Sequence, residues 1–169
     1  MAQTLSISDL QVLLDALGAD GRTVVGPVAR DGAVLLEPIR TADELARGFV
    51  DEQSPGRYRL VPGEDRVFGA LLGPQSPKSW LYPAKVTLLR AERDGSSFRT
   101  SSPDRPPRLA LIGVRACDLA AIRLQDRVLL GSGVEDPAYA SRRREVLLVA
   151  VQCHRSAETC FCASMGTGP

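Results

Sequence analysis

The sequence is short of several things that functions need. It has one histidine, His154, two lysines, Lys78 and Lys85, one tryptophan, and a formal net charge of only +1. With one histidine, no Ser/His/Asp or Cys/His catalytic arrangement can be assembled, and no paired carboxylates stand out, so hydrolysis is not indicated. A charge near zero gives no general pull toward a polyanion, and neither DNA nor RNA is expected as a partner. No stretch approaches the roughly 18 apolar residues of a membrane span, and the first residues lack a basic region followed by an apolar run, so the expectation is a cytoplasmic chain without a membrane span. The near-exclusive use of arginine as the basic residue suggests a GC-rich bacterial source. Gly131-Ser-Gly133 and Gly166-Thr-Gly168 fit no phosphate-loop pattern and read as turns, so a flavin or nicotinamide would belong to a partner.

What is there suits one domain over 1–169, since about 100–150 residues is the usual domain size. Ser6 to Leu17 reads as an amphipathic helix with Gly18 as its stop. Thr23–Val28 and Ala33–Ile39 read as a hairpin turning at Asp31-Gly32. Thr41 and Glu44 form a capping-box pattern for a short helix through Arg47. Arg57–Val61 and Lys85–Ala91 read as strands, Gly73–Pro83 as a structured loop, and Asp94–Arg108 as a polar connection with a mobile middle.

From Leu109 the pattern changes. Leu109–Val114 is a near-continuous apolar run, as expected of a strand buried on both faces. A helix from Leu119 to about Leu130 follows, then a short helix with Tyr139, the basic Arg142-Arg-Arg144, and a second apolar strand, Val146–Val151. Strand, helix, strand in that order predicts a parallel βαβ unit. The fold class is therefore α/β, a mixed sheet containing a parallel βαβ unit, with an N-terminal helix and hairpin.

All four cysteines fall in the C-terminal third with the spacing C-x35-C-x6-C-x-C. Cys117 and Cys153 each lie just beyond an apolar strand, where open α/β sheets bind ligands. Cys117 stands where a helix begins, with Asp118 as its expected N-cap, so the helix terminus should favour a thiolate or an anionic group there. In an extended segment, Cys160 and Cys162 would share one face about 6.6 Å apart, from ~3.3 Å per residue. The set points to one metal site with thiolate ligands. Spacing does not separate an iron–sulfur cluster from zinc, held by four thiolates or by three and His154. Disulfides or merely buried thiols are the other readings. His154 should point away from Cys153 on an extended backbone and act beside the site or in solvent. Arg115 could neutralise charge there, and Arg142–Arg144 reads as a solvated helix end or docking surface.

Gly113-Val-Arg-Ala-Cys-Asp-Leu-Ala-Ala-Ile122, Asp136-Pro-Ala-Tyr139 with Arg142-Arg-Arg144, and Cys160-Phe-Cys-Ala-Ser-Met-Gly-Thr-Gly-Pro169 resemble the N-terminal half of the β subunits of sulfhydrogenases, the hydrogenase or sulfur-reductase type. The related anaerobic sulfite reductase A subunit is similar. The likeness is strongest over 107–169, with 73–83 as a weaker block. It implies a [4Fe–4S] cluster and a non-catalytic electron-transfer role beside flavin- or metal-bearing oxidoreductase subunits. Only Cys117, Cys153, Cys160 and Cys162 carry over as ligands, with Asp118 as an alternative. Two departures stand out: Ala116 occupies a position where the family has proline, and the family's ferredoxin-like second half, with its C-x2-C-x2-C-x3-C runs, is not in these 169 residues. At most one link of a cluster chain is expected here. The rival from another class is a zinc-stabilised structural or interaction module.

Overall fold

The computed structural model describes residues 6–102 and 105–168. A single turn of 3-10 helix, Ile7–Asp9, leads into α1, Leu10–Ala19. Leu10, Leu14 and Leu17 are buried on one face. The helix runs through Gly18 and gives way at Gly21, whose φ of 72° suits a residue without a Cβ.

Strands β1, Thr23–Arg30, and β2, Ala33–Pro38, form the expected antiparallel hairpin. Asp31 and Gly32 both take positive φ, 52° and 75°, the primed two-residue turn whose twist matches its strands. Past β2 the Thr41/Glu44 box is made, with the Glu44 carboxylate accepting from the Arg40 and Thr41 N–H groups, but it closes only a 3-10 turn, Ala42–Glu44. The expected helix through Arg47 is absent. Arg47 instead opens β3, Arg47–Ser54, which pairs antiparallel with β4, Arg57–Val67. The loop at 73–83 contains one helical turn, α2, Lys78–Leu81, pinned by the fully buried Leu81. Two further expectations are corrected. The strand expected at 85–91 lies later, as β5, Arg90–Asp94, and the polar connection contains its partner β6, Ser97–Ser101, turning at Gly95. Pro103 and Asp104, in the middle expected to be mobile, lie outside the described residues.

The main sheet has the order β2-β1-β7-β8. Its centre is β7, Leu109–Val114, buried at all six positions and parallel to both neighbours. Helix α3, Ala116–Leu129, α4, Pro137–Glu145, and β8, Leu147–Ala150, complete the βαβ crossover. Alternation along β7 sends Ala110 and Ile112 to the α1 side, packed with Leu14, Leu17, Val24 and Ile39. Leu109 and Leu111 go to the other side, with Ile122 of α3, Tyr139 of α4 and Leu81 of α2. The sheet is thus covered on both faces, which is why its central strand reads as a continuous apolar run.

The end of β7 is irregular. The β7–β8 register shifts between Ile112 and Val114, and Gly113 takes φ 85°. This bulge turns Val114 onto the same face as Leu111, where strict alternation would have sent it across the sheet. A Cβ on Gly113 would meet the Phe68 ring and the Pro27 Cδ at 3.2 Å. Phe68 itself has φ 63°, a left-handed backbone that bulky residues rarely adopt. Chain reversal after β4 and the end of β7 are therefore locked together.

The short helix expected with Tyr139 is α4, and its start is capped: Asp136 accepts the Tyr139 N–H at 2.8 Å and Pro137 occupies the first turn. The three arginines form its last turn, each bonded locally. Arg142 donates to the Ala138 carbonyl, Arg143 pairs with Asp126, and Arg144 pairs with Glu135. Among the described residues no helix is long and apolar enough to cross a membrane.

Candidate metal centre

Two of the cysteines, Cys117 and Cys153, lie just beyond the carboxyl ends of the two parallel strands β7 and β8. After Val114 the chain passes through Arg115, the N-cap of α3, which places Cys117 in the first turn. Asp118 is not the N-cap. It sits one residue beyond Cys117 and reaches back, its Oδ2 accepting the Arg115 N–H at 3.0 Å. That satisfies one orphan donor of the helix start, the usual work of an acidic residue at this position.

The helix start does not produce a low-pKa thiol at Cys117. Burial pushes the Cys117 thiol up, and the neighbouring Asp118, Cys162 and Cys153 add to the rise against a smaller opposing backbone bond at Asp118. Asp118 is itself pushed up by burial, with the Arg115 backbone bond and charge opposing. Desolvation and like charge set the direction here.

Cys117, Cys153 and Cys162 come from three separate segments, and the latter two are near enough to Cys117 to add to the rise of its thiol. All four cysteines are free, with Cys117, Cys153 and Cys162 half-buried and Cys160 exposed. The Cys160-Phe-Cys162 stretch is not extended: Phe161 has ψ 9°, and Cys162 opens a helical turn, α5, Cys162–Met165, closed by Gly166 at φ 60°. Cys160 stays in a local turn in which its sulfur accepts the Ala157 N–H at 3.3 Å. Among the described residues, no three His, Cys, Asp or Glu side chains stand close enough to hold a single ion.

Arg115 is the charge partner of this corner, and it serves a different cysteine from its sequence neighbour. It is 6% exposed. Its guanidinium donates to the Phe68 and Ala70 carbonyls at 2.8 and 3.1 Å and to Cys153 Sγ at 3.8 Å. His154 is exposed and lines a groove with Arg47, Asp65 and Arg66, turned away from Cys153 as an alternating backbone requires.

Residues that sequence reasoning passed over hold the cysteine segment from the other side. Between β8 and α5, Arg155 pairs with Asp51 of β3 at 2.7 Å, and Thr159 hydrogen-bonds Gln53 at 2.5 Å. Nothing in the local sequence signals this. A lone Asp in Arg47–Ser54 looks solvated until β3 is known to face the loop. A separate cavity of about 520 Å³, lined by Lys85, Arg90, Arg105 and Arg142 among others, contains no cysteine, and two of its cations are engaged by Glu145 and the Ala138 carbonyl.

Comparison with known proteins adds one relative. The chain is similar to the sulfhydrogenase 2 subunit beta of Pyrococcus furiosus, 28% identical over 144 residues, which make up 85% of this chain and 35% of that protein. The chain thus spans little more than a third of the length of this distant, archaeal homologue. No family model matches, and no solved structure matches.

Proposed function

We propose that this chain is an iron–sulfur electron-transfer component of an oxidoreductase assembly, holding one [4Fe–4S] cluster with Cys117, Cys153, Cys160 and Cys162. The observation that carries the reading is the placing of Cys117 and Cys153 just past the carboxyl ends of the adjacent parallel strands β7 and β8, with the buried Arg115 against the Cys153 sulfur. Similarity to a sulfhydrogenase beta subunit supports the assembly, and its subunits are the expected partners. Bound there, the cluster would supply one-electron storage and release.

The chain's own residues supply the setting. Arg115 puts a fixed positive charge against Cys153, which lowers the cost of gathering thiolates in a half-buried corner. The Ala157 N–H bonded to Cys160 Sγ is the kind of sulfur hydrogen bond that raises a reduction potential. Asp118 has one oxygen committed to the Arg115 N–H and is better placed to hold the helix start than to bind iron.

The test is anaerobic purification, a visible spectrum before and after dithionite, and iron, acid-labile sulfide and zinc on the same sample. A bleachable brown band with about four iron and four sulfide per chain establishes the cluster. Colourless protein with stoichiometric zinc, or no metal after reconstitution, removes the redox reading and leaves a structural or partner-binding module.

A further inference from the structure

The segment joining β8 to α5 carries Cys153 and Cys160 but has no regular structure of its own. Its exposure alternates from Val151 to Glu158: Val151, Cys153, Arg155 and Ala157 are half-buried, whereas Gln152, His154, Ser156 and Glu158 are exposed. Cys153 and Arg155 therefore share the inward side, as residues two apart in an extended chain must. Cys153 faces Arg115, and Arg155 meets β3 of the β3–β4 ribbon.

Asp51 of β3 is 2% exposed and, among the described residues, is one of two buried polar or charged side chains, the other being Arg115. Its Oδ1 accepts the Leu71 N–H at 2.6 Å and pairs with the Arg155 guanidinium at 2.7 Å, while its Oδ2 accepts from Gln53 Nε2 at 2.8 Å. Arg155 also donates to the Asp51 backbone carbonyl. Gln53 then passes the connection to Thr159, just before Cys160. Both anchor points, Arg155 and Thr159, lie within the six residues between Cys153 and Cys160.

A buried carboxylate paired with a partly exposed guanidinium is a poor device for adding stability, because desolvating the carboxylate cancels much of the attraction. It is a good device for selecting one arrangement, since any alternative leaves a charge buried alone. A ribbon that needed only packing would carry an apolar residue at position 51. We infer that Asp51 and Arg155 are positioning residues of the candidate metal centre: they fix the path of the segment between Cys153 and Cys160 before any metal arrives. The inference rests on the cluster reading for its purpose, but the anchor can be tested without it.

The experiment uses the whole chain, metal-free and reconstituted, as wild type, Asp51→Asn, Arg155→Gln and the double variant. Asn at 51 keeps an acceptor for the Leu71 N–H and removes the charge. In metal-free protein, alkylation of each cysteine is timed by mass spectrometry. Release of the anchor should raise the rate at the half-buried Cys153 by about tenfold, the mark of local opening, while Cys117 on α3 is unchanged and the exposed Cys160 serves as the internal reference for reagent reactivity. The double variant should be no faster than either single one, because both remove the same interaction. In reconstituted protein, the same variants should lose their visible band to a chelator about tenfold sooner than wild type. An unchanged rate at Cys153 overturns the inference, and so does an equal rise at Cys117, which signals general loosening. If Asp51→Asn fails to fold, Arg155→Gln, altered at a partly exposed side chain, decides alone. Wild-type protein that takes up no iron overturns the cluster reading, whereas loop-selective labelling in the same sample upholds the anchor.

Discussion

The Arg115 guanidinium lies 3.8 Å from the sulfur of Cys153, 38 residues away in the chain, while its other nitrogen holds the Phe68 and Ala70 carbonyls. One side chain thus ties the end of β7, the exit of β4 and the start of the cysteine segment. Lysine cannot reproduce this, because it is a point donor and not a planar fork. Arg115→Lys should destabilise the metal-free protein by roughly 1–3 kcal/mol, the cost of leaving a buried acceptor unmet, as read from urea unfolding. A variant as stable as wild type would show that water replaces the fork freely.

Gly113→Ala tests the bulge. The added Cβ would stand 3.2 Å from the Phe68 ring and Pro27 Cδ at a φ of 85°, so contact and backbone strain act together. A loss of about 1–3 kcal/mol is expected. Its signature would be a lowered urea midpoint with an unchanged slope.

The Tyr139 phenol is fully buried and donates to Asp126 at 2.7 Å, and burial together with Asp126 pushes its ionisation far up. Tyr139→Phe removes one hydrogen bond and keeps the ring, while Asp126 retains Arg143. Thermal unfolding should report a loss of roughly 0.5–1.5 kcal/mol. Leu111→Ala, at a site with no exposure, should cost more, roughly 2–5 kcal/mol.

Glu44 gives a pH dependence with a definite sign. The Arg40 and Thr41 backbone N–H groups hold its carboxyl below the ordinary glutamate value. A folded-state pKa lower than the unfolded one means stability that is present above the unfolded value and is lost as pH falls through the folded one. Glu44→Gln should therefore flatten the decline in Tm on acidification through the carboxylate range and leave its slope near neutrality unchanged.

Much of the fold was legible because the signals were local. Asp31-Gly32 announced its turn, and Leu109–Val114 announced a strand covered on both faces. The ribbon β3–β4 was hard to see in full because Arg47–Ser54 has only Phe49 and Val50 as apolar side chains, and pairing with β4 makes it a strand. The pair β5–β6 was hidden for the same reason, all ten of its residues being exposed and without an inside–outside alternation to read. At the site, the sequence placed Cys117 and Cys153 at strand ends correctly but misjudged the thiol chemistry of Cys117, since a helix start is visible in sequence and burial is not.

By itself the sequence determined which groups could do chemistry: four thiols, one histidine, no nucleotide loop, and a parallel βαβ unit that delivers two of the thiols to neighbouring strand ends. Hydrophobic periodicity and turn residues carry that information because they act over a few residues. Tertiary structure alone decided that Arg115 serves Cys153, that Asp51 is buried against Arg155, and that Cys117 is raised in pKa. Each of these depends on what a side chain meets across tens of residues of chain, and on how much water that meeting removes.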